Sequence, residues 1–97
     1  MMFTLSQIAA VFEGMLRCPE RVAYDGNCNL DLYEGQWCIR IFMDCGEPDY
    51  VDHIMFGDET LDFMSPLAAA LTNYLAVPAV WEQVLRLARD CQNWDYA

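Results

Sequence analysis

The chain has 97 residues, the length of one domain, and 56% of them are hydrophobic, enough to build a core and to exclude intrinsic disorder. The 15 acids face five arginines and no lysine, a formal net charge of −10, which excludes direct binding to nucleic-acid phosphates. No stretch approaches the roughly 20 apolar residues of a membrane-spanning helix.

The first element is a helix over residues 5–17. Thr4 is placed to cap it, Gln7 to return the bond from the third helical position, and Phe3 with Ile8 to staple the entry. Leu5, Ile8, Ala9, Phe12 and Leu16 recur at helical spacing, and Pro19 stops the run. Residues 1–4 carry no basic side chain and Glu13 interrupts the apolar stretch that follows, so the reading is a cytoplasmic chain without a secretory leader. Cys18, Cys28, Cys38, Cys45 and Cys91 are an odd set without disulfide-scaffold spacing. They read as free thiols, mostly buried, in a reducing compartment.

From residue 22 the period changes to two. Residues 22–24 are compatible with a short edge strand, and the alternation at residues 30–33 leads into a tight turn at Glu34-Gly35. Trp37, Ile39, Ile41 and Met43 define one face of a strand, with Cys38, Arg40, Phe42 and Asp44 on the other. The segment Cys45-Gly46-Glu47-Pro48-Asp49 breaks it. Residues 50–56 form the next strand, with Tyr50, Asp52, Ile54 and Phe56 opposite Val51, His53 and Met55, and Gly57-Asp58-Glu59 turns again. Ser65 and Pro66 open a helix as N-cap and first helical residue, and Pro78 starts the last one. The expected architecture is a single α+β domain over residues 1–97, with a three-stranded antiparallel sheet packed against one N-terminal and two C-terminal helices, in the order α-β-β-β-α-α.

Charge is distributed unevenly along this order. Residues 25–62 hold ten acids against Arg40 alone, so nearly the whole surplus belongs to the sheet and its turns. The densest part is Asp44, Glu47, Asp49, Asp52, Asp58, Glu59 and Asp62. Like charges packed closely oppose the compact state, and a surface tuned only for solubility intersperses both signs. Acids two apart on one strand face lie about 6.6 Å apart, comparable with successive phosphates along a nucleic-acid backbone. The expectation is one exposed anionic patch imitating that backbone, with Tyr50 and Phe56 as apolar anchors.

Other chemistry is weaker in the sequence. Asp25, Asn27, Asn29 and Asp31 alternate like calcium-loop ligands. However, Leu30 stands where such a loop needs glycine, and Gln36 where it needs a bidentate glutamate. The cysteines lack zinc spacing, and His53 is the only imidazole that could serve a nucleophile. The reading is therefore a non-enzymatic protein without a metal or other cofactor.

A short acidic domain with the carboxylates of Asp44, Glu47, Asp49, Asp52, Asp58, Glu59 and Asp62 on a small sheet resembles the phage-encoded anti-CRISPR proteins of the DNA-mimic type. The resemblance implies a stoichiometric inhibitor in a bacterial cytoplasm. Its partner would be a basic nucleic-acid-binding protein or CRISPR type I surveillance complex, occupied at the groove meant for DNA. The alternative on the same charge is an immunity protein or antitoxin neutralising a basic enzyme, and a further one is a small metal-binding domain.

Overall fold

A computed structural model describes the backbone of residues 3–95 and the side chains of residues 3–91. Helix α1 (Leu5–Arg17) is followed by five strands, β1 (Arg21–Tyr24), β2 (Asn29–Glu34), β3 (Trp37–Asp44), β4 (Glu47–Phe56) and β5 (Glu59–Asp62), and then by α2 (Pro66–Tyr74) and α3 (Pro78–Asp95). The strands form one antiparallel meander in sequence order. The class is α+β as expected, but the sheet has five strands rather than three, and α-β-β-β-α-α is corrected to α-β-β-β-β-β-α-α.

Both additional strands lie at the edges, where propensity is least informative. Residues 21–24 pair over their full length with Leu30–Tyr33, and the strand's outer side is packed by α3, where the Cys91 thiol reaches the Val22 carbonyl at 3.7 Å. The acidic segment 59–62 has little strand propensity of its own. The two-residue turn Gly57-Asp58 folds it back onto β4, and Leu61 pairs with Ile54 on the core side. Among the described residues no helix is long and apolar enough to cross a membrane.

Helix α1 begins as its sequence dictates. Thr4 Oγ1 accepts from the Gln7 N–H at 3.2 Å, and Gln7 Oε1 accepts from the Thr4 N–H at 2.9 Å. Phe3 packs on Trp37 and Phe56, with ring centroids 4.8 and 5.3 Å away, and so ties the helix entry to the sheet. Ser65 caps α2 by accepting from the Leu67 N–H.

The three helices cover one face of the sheet. Ile8, Phe12, Met15 and Leu16 of α1, Ala68, Leu71 and Leu75 from α2 and its cap, and Val84 and Ala88 of α3 are buried against Leu30, Leu32, Ile39, Ile41, Met43, Val51 and Ile54. Cross-strand pairs place those strand residues on one side: Leu30 opposite Ile41, Leu32 opposite Ile39, Ile39 opposite Ile54 and Ile41 opposite Val51. Alternation then sends Asp31, Tyr33, Cys38, Arg40, Phe42, His53 and Met55 to the other side.

Strand β4 departs from simple alternation. It starts at Glu47, through the expected break, with Pro48 buried opposite Met43. Two register shifts against β3 leave Asp52 and Asp49 as extra residues, since Arg40 pairs with His53 and Ile41 with Val51, then Phe42 with Tyr50 and Met43 with Pro48. Each is a β-bulge with an aspartate as the inserted residue. As a result Tyr50 lies on the uncovered face beside Phe42, away from Ile54 and Phe56, with which the alternation had grouped it. Proline is tolerated here because β5 reaches only to His53 and leaves the earlier part of β4 without a strand on its outer side. The Val51 N–H on that stretch donates instead to Thr72 Oγ1 of α2 at 2.9 Å, and the Thr72 hydroxyl donates to the Ala68 carbonyl at 3.1 Å.

Candidate functional site

The uncovered face has an aromatic cluster near one end. Phe42 and Tyr50 are cross-strand partners with stacked rings, 5.1 Å between centroids and 22° between planes. Phe63, just past β5, leans on Tyr50 at 5.9 Å. Phe63 is 52% exposed and the next residue, Met64, 76%. A two-residue bend holds this pair outside the core: Asp62 Oδ1 accepts from the Met64 N–H at 2.9 Å, and the Asp62 carbonyl accepts from Ser65 N–H at 2.9 Å.

Register places five of the seven sequence-predicted acids around these rings. Asp44 and Glu47 face one another across the β3–β4 hairpin, two positions beyond Phe42 on its own face. Asp49 precedes Tyr50 at the first bulge, and Asp52 follows it at the second. Asp62 precedes Phe63, opposite His53. Asp44, Glu47, Asp49 and Asp62 are exposed and Asp52 is half-buried. Asp52 accepts a 2.6 Å hydrogen bond at His53 Nδ1.

The remaining two lie at the opposite end of the sheet, Asp58 in the β4–β5 turn and Glu59 at the start of β5, where Gly57 N–H bonds the Gln36 carbonyl of the neighbouring hairpin. Glu59 pairs with Phe56 on the helix-covered side. The seven acids expected to form one exposed anionic patch are thus divided between the two ends of β4. Bulges and hairpins, rather than alternate positions of one strand, carry the five that gather.

Two further acids are turned to local use. Asp31 is 8% exposed and accepts both guanidinium bonds of Arg40, at 2.8 and 3.0 Å. That bidentate bond holds Arg40 above its already high ordinary pKa, against the opposing effect of burial. Asp25 Oδ1 accepts from the N–H groups of Asn27, Cys28 and Asn29 at 2.8, 2.9 and 3.1 Å. Burial pushes Asp25 upward, but these backbone bonds outweigh it and hold the carboxyl below its ordinary value. Of the alternating oxygens that suggested a cation loop, those of Asp25 and Asp31 therefore serve an Asx turn and an ion pair, and among the described residues no cluster of three metal-ligating side chains occurs.

The other cation of this face is also occupied, with the Arg21 guanidinium 4.1 Å from the centre of the Tyr33 ring. Cys38 is the one buried thiol. Cys18 and Cys45 are exposed and Cys28 and Cys91 half-buried, which corrects the expectation that most are buried. The hydrogen bond and charge of Asp44 push the Cys45 thiol up, away from a reactive thiolate.

Sequence reasoning found Tyr50 and the acids around it. It placed Phe42 on the outward face of its strand without counting it with the site, and it misplaced Phe56, which packs on Phe3 and Trp37 on the helix-covered side. It missed Phe63 and Met64, whose only signal was a large apolar pair standing immediately before a helix cap. No protein-family model, curated protein or solved structure gives a significant match to this chain.

Proposed function

We propose that the protein is a non-enzymatic inhibitor that presents the uncovered sheet face around Tyr50 to a basic protein. The target is a nucleic-acid-binding component of a bacterial defence complex, of the kind the anti-CRISPR resemblance implies, engaged where nucleic acid would otherwise lie. One observation carries the reading: Asp44, Glu47, Asp49, Asp52 and Asp62 surround an aromatic cluster on the face that no helix covers. An aromatic centre with a charged rim is the anatomy of a protein-binding hot spot. The acidic rim would speed encounter with a basic partner and make the rate fall with salt.

The uneven placement of the acids favours a second reading, an immunity protein or antitoxin that plugs a basic enzyme, because such a plug needs a local anchor and no phosphate-like row. Capture from a bacterial lysate followed by competition separates the two. A partner held at low salt and released by excess duplex DNA supports the mimic; a partner that DNA does not displace supports the plug. A variant with Asp44, Glu47 and Asp49 changed to lysine should lose the partner, while one with Asp58 and Glu59 changed to lysine should keep it. Equal capture by both variants overturns the site.

A further inference from the structure

We infer that the Tyr50–Phe63 cluster selects arginine over lysine, so that the partner segment seated on it carries an arginine whose guanidinium stacks on an exposed ring while the neighbouring carboxylates accept its N–H groups. This rests on the proposed docking role of the same face and names the chemistry of what docks there.

Two independent features of the patch converge. The first is apolar: Phe63 is 52% exposed and Met64 76%, whereas Phe12 lies buried in the core and Phe3, Trp37 and Phe56 pack on one another. The second is charge: Asp62 and Asp49 are chain neighbours of the two rings, and Asp44 and Glu47 continue the face beyond Phe42.

A lysine ammonium satisfies the acids as a compact, strongly hydrated point charge. Only a guanidinium is planar, weakly hydrated, and able both to lie on a ring and to donate a fork of N–H groups sideways to a carboxylate. The same face already makes each half of that contact within the chain. Arg21 lies over Tyr33 at 4.1 Å, and Arg40 forks onto Asp31. Because those two arginines are engaged, the rings at the Tyr50 end are left for a guanidinium from outside.

The test titrates the whole protein with a short peptide alternating arginine and glycine, and with the same peptide carrying lysine instead, at low salt. The arginine peptide should bind about tenfold more tightly, the order expected of a partly desolvated cation–π contact. Phe63→Leu keeps an apolar side chain but no ring face, and should bring the two affinities together by weakening arginine-peptide binding more than lysine-peptide binding. Phe63 is more than half exposed, so the variant should fold, and circular dichroism checks this.

Equal affinities for the two peptides with wild type, or an arginine preference that survives Phe63→Leu and Tyr50→Leu alike, overturns the inference and leaves the acidic docking reading standing. Binding of neither peptide overturns both. Sedimentation of wild type and Phe63→Leu covers the remaining occupant: a dimer that the substitution dissociates would make the patch a contact between copies of this chain and overturn the inference.

Discussion

Replacing Arg40 by methionine tests whether the uncovered face is held together by the Arg40–Asp31 ion pair. The substitution removes two hydrogen bonds of 2.8 and 3.0 Å and leaves Asp31, only 8% exposed, without a cation. Breaking a buried pair by deleting one partner costs about 3–5 kcal/mol. The Arg40 side chain is 35% exposed, so water enters the vacated space and the figure falls to about 2–3 kcal/mol. With a urea slope of about 1.5 kcal/mol per molar for a domain of this size, the unfolding midpoint should drop by about 1.5 M. The double variant Asp31→Leu with Arg40→Met removes both charges together and should recover most of that loss.

A salt series isolates the cause. Arg40 is also the sole basic residue among the ten acids of residues 25–62, so its loss increases general repulsion. At about 1 M salt, with a Debye length of ~3 Å, that general term is screened while the shielded Asp31 remains unpaired. An Arg40→Met midpoint within error of wild type, or one fully restored by salt, would refute the assignment to a local pair.

Three smaller perturbations address the elements that shape the site. Cys45 sits at φ 54° ahead of Gly46 at 81°, a hairpin turn with two left-handed residues that asparagine suits and cysteine does not. Cys45→Asn should therefore raise stability by about 1 kcal/mol in the same urea assay; a lower midpoint refutes the strain. Thr72→Val removes the acceptor for the Val51 N–H and should cost about 1–2 kcal/mol, with hydrogen exchange at Val51 speeding up. Asp25 has a lowered carboxyl pKa in the folded chain, so its contribution is complete above the unfolded carboxylate range near pH 4 and is lost as pH falls through the folded value. Asp25→Ala should accordingly be about 1 kcal/mol less stable than wild type at neutral pH and converge with it in acid; a gap that stays constant with pH refutes the turn's role.

The parts of the fold that were legible were those with a strong period or an explicit terminator. The Thr4 and Gln7 capping box and the Ser65-Pro66 start fix two helix entries at the residues expected. The unbroken alternation from Trp37 to Met43 fixes the inward face of β3. Of the two edge strands, residues 22–24 were legible as a candidate and residues 59–62 were not. Residues 59–62 carry two acids, and only tertiary closure through Gly57-Asp58 makes them a strand. Pro48 signalled a break because local rules do not reveal that this stretch of β4 lacks a strand on its outer side.

The site shows the same limit more sharply. Composition located the surplus charge in residues 25–62, but the face each side chain takes depends on a count of two per residue pair, and one inserted residue reverses it. Bulges at Asp49 and Asp52 reverse it twice. Without them Val51 and Ile54, three residues apart, would point to opposite faces, and one of them would leave the core. With them both are buried, and Tyr50 is turned out to stack on Phe42. The inserted residues are themselves acids, so the same irregularity that keeps β4 packed also sets carboxylates on either side of the half-buried Tyr50. Deleting Asp52 should therefore remove the bulge along with the charge. Val51 and Ile54 would then stand two positions apart, and a regular β4 would keep both in the core, so the deletion variant should stay within about 1 kcal/mol of Asp52→Ala in the urea assay; a deletion far less stable than Asp52→Ala would refute the reading of Asp52 as the inserted residue.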